Sequence, residues 1–277
     1  MARNLAQAGF ELLVCDTSEV IRASFEAEGV RTTDVASDCG SVDAVIVLVA
    51  TIQQMRDVLL GERGIAAGVA DGPGPLVLMM STVGRAAVLD VAAALDARGM
   101  RMLDVPISGG PFRAEAGTLS IMVSGDKAAA EEADPVLRAV GSAILYCGEV
   151  GASQTVKVLN NIIGGLNTYM MGEVGRIALQ YGMTLHDVLE VLEASTGRNW
   201  LSVDANETAK VYRGFTDDRR NYESVSHILH KDFALAGDLL DEADGEFPII
   251  RAGIAALDTV GEETFENWKF TGNGRIE

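Results

Sequence analysis

The sequence predicts an α/β fold in which a parallel-sheet domain, residues 1–149, precedes an all-helical domain, residues 150–277. From residue 11 to about 147, short runs rich in Val, Ile and Leu alternate with helical stretches, as they do in βαβ units. From Gly151 onward no further β-rich runs occur, and long stretches show helical periodicity instead. A chain of 277 residues is long enough for two modest domains.

Six apolar runs are the strand candidates of the first half. Their content of Val, Ile and Leu indicates strands that are covered on both faces. The runs are residues 11–15, 44–50, 76–80, 101–105, 118–123 and 143–147.

The second half opens with residues 153–181, which predict one helix of about 29 residues, long enough at ~1.5 Å per residue to cross from one lobe to the other. Gly164 and Gly165 weaken this helix unless another element packs closely there. Thr184 can cap the next helix, with Asp187 at its third position. The polar stretch 204–224 predicts an irregular connection.

Charge and composition exclude several classes of partner. A net charge of −18 repels phosphate backbones and anionic lipid, so nucleic acid is not an expected partner. No apolar run approaches the ~20 residues of a membrane span, and residues 1–10 lack the apolar core of a secretory signal. We therefore expect a cytoplasmic protein without a membrane partner. No metal site is predicted: Cys15, Cys39 and Cys147 are an odd number at wide spacing. His186, His227 and His230 form no convincing metal set, although His227 and His230 could share a helix face.

Two polar residues follow strand candidates where a dinucleotide would bind. In dinucleotide-binding folds the second strand usually ends in an acidic residue that bonds the adenosine ribose, and Asp16 ends the run 11–15. An Asp that merely opens a turn is the alternative. Thr82 follows the run 76–80, at the carboxyl end where open α/β sheets hold their ligands.

A dinucleotide site also needs a strand and a Gly-rich turn before the first helix, to cradle the pyrophosphate. Residues 1–9 have the pattern of that helix and its Gly stop, so the loop would lie immediately upstream of Met1. Two explanations stay open. We favour a start placed too far downstream; the other is a chain that folds without the strand and has lost nucleotide binding.

The segment Asp104–Gly110, DVPISGG, follows a strand candidate and brings small residues together. Their backbone N–H groups can approach a carboxylate closely, which favours a small anionic substrate. An ordinary strand-to-loop turn is the alternative.

Lys157 and Asn161 are four residues apart, so on a helix they share one face. The neighbours of Lys157 are apolar, and such surroundings lower the pKa of a lysine towards the range of a usable acid or base. The alternative is a lysine whose stem lies on the helix and whose head lies in water. Lys231, in HILHKDFALA, is by itself an unremarkable member of a helix-surface pair.

Four ordered segments, DVPISGG, PFRAEAGTLSIMVSGD, GASQTVKVLNN and HKDFALA, resemble the β-hydroxyacid dehydrogenases. This family is typified by 3-hydroxyisobutyrate dehydrogenase and tartronate semialdehyde reductase, and the resemblance covers nearly the whole chain. It implies a Rossmann-like NAD(P) domain joined by a long helix to an all-α domain, in homodimers or homotetramers. It also implies an oxidoreductase that moves hydride between NAD(P) and a small 3-hydroxy acid, such as 3-hydroxyisobutyrate, or its semialdehyde.

The resemblance assigns roles to individual residues. Relatives that prefer NADP tend to carry Asn-Arg where this chain has Asp16-Thr17, so the expected cofactor is NAD. The implied residues are Lys157 and Asn161 for catalysis; Asn161, Ser108, Gly109 and Gly110 for the substrate; Asp16 for the ribose; Val49, Gln54 and Thr82 for the cofactor; and Lys231 beside the nicotinamide and substrate.

Two other functions stay open. Imine reductases share this architecture but usually lack the lysine found at position 157. A truncated, non-catalytic relative that acts in binding or assembly would account for the missing glycine loop, whereas Lys157, Asn161 and the SGG loop speak against it. Residues 198–230 depart from the usual family pattern, which leaves the identity of the substrate open.

Overall fold

The computed structural model describes residues 1–70 and 72–275 and divides into two compact units, Met1–Lys157 and Val158–Glu277. Unit 1 carries the strands and unit 2 is helical. This order confirms the predicted α/β half followed by an all-helical half. The boundary between the units falls inside one long helix, Ala152–Gln180.

Unit 1 is built on two sheets. The strands of its described part are β1 Leu13–Cys15, β2 Arg31–Thr33, β3 Ala44–Val47, β4 Leu76–Met79, β5 Met102–Asp104, β6 Ile107–Ser108, β7 Leu119–Ser124 and β8 Gly141–Gly148. β1 and β2 form a parallel pair, and the larger sheet has the order β3-β4-β5-β7-β6 with β8 beside β7. The predicted parallel-sheet domain is therefore confirmed, and within its larger sheet β7 runs antiparallel to β5 and β6.

Helices cover both faces of the larger sheet. They are α1 Ala2–Gln7, α3 Ile52–Leu60, α4 Arg85–Asp96, α5 Gly110–Glu115 and α6 Lys127–Val140. The remaining helix of this unit, α2 Glu19–Glu26, packs against β1 and β2, and 3₁₀ turns lie at Ala36–Ser41 and Ile65–Gly68. Side chains of β4 alternate between two cores: Val77 and Met79 pack with α3 and α4, whereas Leu76 and Leu78 pack with α1 and α6. Every residue of β4 is buried as a result, as expected for a strand covered on both faces.

A cavity of about 550 Å³ lies between β1 and β3, which belong to different sheets. Hydrogen bonds from Leu76 N to Asp43 O and from Met80 N to Val47 O show that the odd-numbered residues of β3 pair with β4. Since alternate residues of a strand address opposite neighbours, the backbone groups of Ala44 and Ile46 face the cavity. Asp16 N bonds Thr33 O, so by the same alternation Cys15 faces it from β1. Two strand edges thus border one largely apolar cavity.

Unit 2 consists of helices packed around an aromatic cluster. The long helix α7, Ala152–Gln180, leads into it, and it continues with α8 Leu185–Glu193, α9 Ala205–Thr216, α10 Arg219–Glu242, α11 Pro248–Ala256, a 3₁₀ turn Leu257–Thr259 and α12 Glu262–Asn273. The predicted long helix is confirmed to within one residue at each end. A close neighbour explains why α7 tolerates Gly165: a Cβ there would lie 2.5 Å from Phe233 Cε2. The capping box of Thr184 and Asp187 at the start of α8 is also confirmed.

The irregular connection predicted for residues 204–224 is wrong. Asp204 and Asp218 cap two helices, α9 and α10, that fill this stretch. Helix α9 is amphipathic: one face is polar, and on the opposite, apolar face Ala209 and Tyr212 are completely buried. The Tyr212 ring lies 5.8 Å from the Trp268 ring, so tertiary packing stabilises a helix whose local composition is polar.

Candidate functional site

The carboxyl ends of β3, β4 and β5 lie at one edge of the sheet, because these three strands are parallel neighbours. Val49, Thr82 and the segment 105–110 follow these ends directly. Open α/β sheets bind their ligands at this edge. The structure therefore brings two predicted cofactor residues and the predicted substrate loop to the same edge of unit 1.

A buried polar network joins these loops to the first turn of α7. Asp104, at the end of β5, is completely buried and accepts hydrogen bonds from Gln154 Nε2 at 2.7 Å and from Gln154 N at 3.2 Å. Ser153 Oγ lies 2.5 Å from Asp104 Oδ2, and Ser124 Oγ, at the end of β7, lies 3.2 Å from the same oxygen. Burial raises the pKa of Asp104, and the hydrogen bonds from Gln154, Ser153 and Ser124 oppose that rise.

Gln154 extends the network to the loops that follow β4 and β3. Its Oε1 accepts from Val83 N and Gly84 N, both at 3.1 Å, and its Nε2 also donates to Ser81 O at 3.0 Å. Ser81 Oγ in turn accepts from Val49 N at 2.7 Å. Asp104, Ser153 and Gln154 lie inside segments that the sequence analysis identified, but no role could be predicted for them, because their contacts join residues about 50 positions apart.

Lys157 lies on α7, three residues after Gln154, and only 7% of its surface is exposed. Val158 and Ile162, on the following turn, are buried as well. This burial argues against a lysine whose head lies in water.

The predicted substrate loop ends β6 and begins α5. Gly109 and Gly110 have φ values of +134° and +66°, which only glycine adopts without strain. A Cβ at Gly109 would also lie 2.8 Å from Arg113 Cβ. Both glycines are exposed, so their backbone stands open to a ligand, while Ser108 is half-buried and paired with Ser120 of β7.

Asn161 and Lys231, both in unit 2, are joined by Asp232. Asn161 Nδ2 donates to Asp232 Oδ2 at 2.7 Å, and Lys231 Nζ lies 3.1 Å from Asp232 Oδ1. The Asp232 side chain is 9% exposed and that of Lys231 is 38% exposed. From the sequence, Lys231-Asp232 looked like a surface pair; the buried carboxylate instead holds the amide of Asn161.

Asp16 and Gln54, two of the residues predicted to contact the cofactor, carry polar groups that a nucleotide could bond. Asp16 follows β1, and its Oδ1 accepts from Ser18 N at 2.8 Å, so the half-buried carboxylate can also accept from ribose hydroxyls. Gln54 Oε1 is engaged by Ala50 N and Thr51 N at the start of α3, which leaves its amide N–H groups for a ligand. The pyrophosphate loop predicted to precede Met1 is not tested by the described residues and stays a prediction.

Two family models cover most of the chain. The NAD binding domain of 6-phosphogluconate dehydrogenase matches residues 1–148, and the NAD-binding domain of NADP-dependent 3-hydroxyisobutyrate dehydrogenase matches residues 151–271. An NAD-dependent L-serine dehydrogenase of Pseudomonas aeruginosa is 33% identical over 257 residues, covering 90% of this chain and 84% of that protein. This chain belongs to the β-hydroxyacid dehydrogenase family.

Solved structures agree with this membership. The 3-hydroxyisobutyrate dehydrogenase of Salmonella typhimurium superposes with a TM-score of 0.76 at 28% identity, covering 93% of this chain and 88% of that chain. An imine reductase of Streptomyces aurantiacus gives a TM-score of 0.61 at 16% identity over 97% of this chain and 93% of its own. The latter likeness shows only that the fold is shared.

Other features of this dehydrogenase concern metals and membranes. Among residues 1–70 and 72–275, no group of three or more His, Cys, Asp or Glu is arranged to hold a metal ion. Within the same residues, no helix is both long and apolar enough to cross a membrane.

The Asn161–Asp232 hydrogen bond predicts a strong coupling between these two positions. Asn161→Asp alone brings two carboxylates together and Asp232→Asn alone places an amide beside the Lys231 ammonium, so each is expected to lower the free energy of unfolding. The double variant restores a donor opposite an acceptor, and a coupling on the order of 1–3 kcal/mol is expected. Urea unfolding of the four proteins measures it. Additive single effects would show that the hydrogen bond does not form in solution.

Proposed function

We propose that this dehydrogenase transfers hydride between NAD(P) and a small 3-hydroxy acid, such as 3-hydroxyisobutyrate, or the corresponding semialdehyde. The observation that carries the proposal is the buried Lys157 on α7. Through Gln154, the first turn of α7 is hydrogen-bonded to Asp104 at the end of β5, the strand that the proposed substrate loop follows. The relatives named above support the substrate class, because L-serine and 3-hydroxyisobutyrate both carry a hydroxyl on the carbon β to a carboxylate.

Each residue of the site has a proposed task in the oxidation. The backbone of Ser108, Gly109 and Gly110 binds the substrate's carboxylate, and Lys157 Nζ takes the proton from the hydroxyl as hydride leaves the carbon. From the family resemblance, Asn161 is proposed to orient the substrate or the lysine, and Lys231 is proposed to border the nicotinamide and the substrate. When bound, NAD supplies the hydride acceptor. In the reverse direction Lys157 returns the proton to the carbonyl oxygen of the semialdehyde.

A panel of acids tests this substrate class. Reduced nucleotide is followed by its absorbance while the protein is offered 3-hydroxypropionate, 3-hydroxyisobutyrate, serine and glycerate, with lactate as the 2-hydroxy control. We expect turnover of at least one 3-hydroxy acid and a kcat/KM for lactate at least ~100-fold lower, since lactate's hydroxyl lies one carbon closer to the carboxylate. Equal turnover of lactate, or turnover of cyclic imines alone with reduced nucleotide, would contradict the proposed class.

We propose NAD rather than NADP as the preferred cofactor, supported by Asp16 at the end of β1. A carboxylate about 4 Å from a 2′-phosphate costs on the order of 1–4 kcal/mol, depending on solvent exposure. Asp16→Asn combined with Thr17→Arg is therefore expected to raise the affinity for NADPH relative to NADH by at least ~10-fold. Fluorescence titration measures both affinities, with Asp96→Asn on α4 as a matched control. An unchanged ratio of the NADPH and NADH affinities would show that Asp16 does not contact the adenosine ribose.

The proposed assembly is a homodimer or homotetramer in the cytoplasm. Its support is an apolar stripe along α7, on which Ile163, Met170 and Ile177 recur every seven residues and are each more than half exposed. The cytoplasm suits the three free cysteines, which would be expected to oxidise in a more oxidising compartment. Sedimentation equilibrium of the purified protein tests the assembly, and a concentration-independent monomer would contradict it.

A further inference from the structure

The first turn of α7 is held by strands rather than by a cap of its own. A helix leaves its first backbone N–H groups without partners inside the helix. In α7 the N–H of Ser153 donates to Ser124 Oγ at 3.3 Å, and that of Gln154 donates to Asp104 Oδ2. The residues that end β7 and β5 thus perform for α7 the task that an N-cap side chain usually performs.

Gln154 has no freedom to turn within the network. Its two amide hydrogens go to Ser81 O and Asp104 Oδ1, and its Oε1 accepts from Val83 N and Gly84 N. All four hydrogen-bonding positions of the side chain are therefore in use, and Gln154 is completely buried. Reversing the amide would oppose donor to donor at Val83 and Gly84 and acceptor to acceptor at Ser81 and Asp104.

From these contacts we propose that Asp104 and Gln154 are positioning residues for Lys157. The pair fixes where α7 starts relative to the loops that follow β4 and β5, and Lys157 follows Gln154 by three residues on the same helix. A shift of α7 by a fraction of its ~1.5 Å rise per residue would displace the Lys157 amine from a substrate held by the 108–110 loop. The inference rests on the proposed function, in which Lys157 moves the hydroxyl proton.

Asp104→Asn tests the pair with the smallest change of shape. An Asn side chain has one acceptor oxygen, so it cannot serve both Gln154 Nε2 on one side and Ser153 Oγ with Gln154 N on the other. We expect kcat to fall by about 10-fold or more while KM changes by less than about 3-fold, because proton transfer depends on position more steeply than binding does. Asp187→Asn at the cap of α8 is the matched control and should leave both constants unchanged.

The decisive experiment introduces Asp104→Asn into a variant that lacks Lys157. Lys157→Ala is assayed with added ethylamine, which can supply a freely diffusing base in place of the side chain. If the pair acts by placing Lys157, Asp104→Asn should lower the rate of the amine-rescued variant by less than about 2-fold, against the larger loss in the parent. An equal loss in both backgrounds overturns the inference, because the pair would then act on something other than the lysine.

Two further arms keep the test decisive. Ser153→Ala removes a single donor to Asp104 and is used in place of Asp104→Asn if that variant does not fold. We expect a smaller loss of kcat, which again depends on the presence of Lys157. Failure of the proposed function has a different signature, namely a Lys157→Ala variant as active as the parent. With Lys157 shown to be required, only the comparison of backgrounds decides the role of Asp104 and Gln154.

Discussion

Replacing Lys157 with alanine is expected to lower kcat for oxidation of a 3-hydroxy acid by about 10²–10⁴-fold, the range that a positioned acid or base contributes. The side chain is 7% exposed, so water has little access to replace it. Substrate affinity should change far less, since the carboxylate is assigned to the 108–110 loop. The measurement is steady-state kinetics across pH, with folding checked by thermal unfolding.

Two variants separate the chemistry of Lys157 from its charge. Lys157→Arg keeps a cation at the position but cannot give up its proton, so it is expected to remain as inactive as the alanine variant. Lys127→Ala, which removes an exposed lysine stacked on Tyr146, should retain full activity. Near-parental kcat in Lys157→Arg would show that the position supplies charge and not proton transfer.

A strand added between β1 and β3 is expected to increase the affinity for NADH by at least ~100-fold, or ~2.7 kcal/mol. The added segment is an apolar strand of about six residues followed by a Gly-x-Gly-x-x-Gly turn, joined to Met1. Met1 lines the cavity between the two strands, so the segment can enter it and run into α1. The backbone edges of Ala44, Ile46 and Cys15 would then gain partners, and the glycine turn would bring its N–H groups to the pyrophosphate.

The control protein carries the same glycine turn, but Asp and Pro replace residues of the added strand. Such a segment cannot fill an apolar cavity, and it cannot complete the backbone hydrogen bonds of a sheet. Calorimetric titration with NADH measures all three proteins. The extended protein should also melt at a higher temperature than the chain of 277 residues, because apolar surface around Leu48, now 55% exposed, becomes covered. An extended protein that binds NADH no better than the control would show that a strand added at this cavity does not complete a nucleotide site.

Local sequence patterns predicted the elements that are long or strongly apolar. The run around β4 and the helix α7 carry enough Val, Leu and Ile at regular spacing to identify them. β2 and β6 were missed because they are three and two residues long, and β2 reads RTT. The polar α9 was missed because its stability comes from Tyr212 packing on Trp268, a contact across 56 positions of the chain.

The residues of the candidate site also fall into those that local sequence patterns predict and those that only the fold shows. Lys157 and Asn161 could be recognised because they share a helix face and a motif, and the glycines of the 108–110 loop because three small residues adjoin. Asp104 and Asp232 could not, since each acts on a residue 50 or 71 positions away. No local periodicity encodes such a contact, and only the fold shows that both carboxylates are buried.

The most direct test of hydride transfer from a 3-hydroxy acid is to follow the hydrogen itself. The protein is incubated with NAD and 3-hydroxypropionate that carries deuterium on C3, and the nucleotide is analysed by mass spectrometry. We expect deuterium in the reduced nicotinamide ring, at a rate that falls by about 10²–10⁴-fold in Lys157→Ala. Conversion of the acid without label in the nucleotide, or label transfer that is indifferent to Lys157, would contradict this expectation.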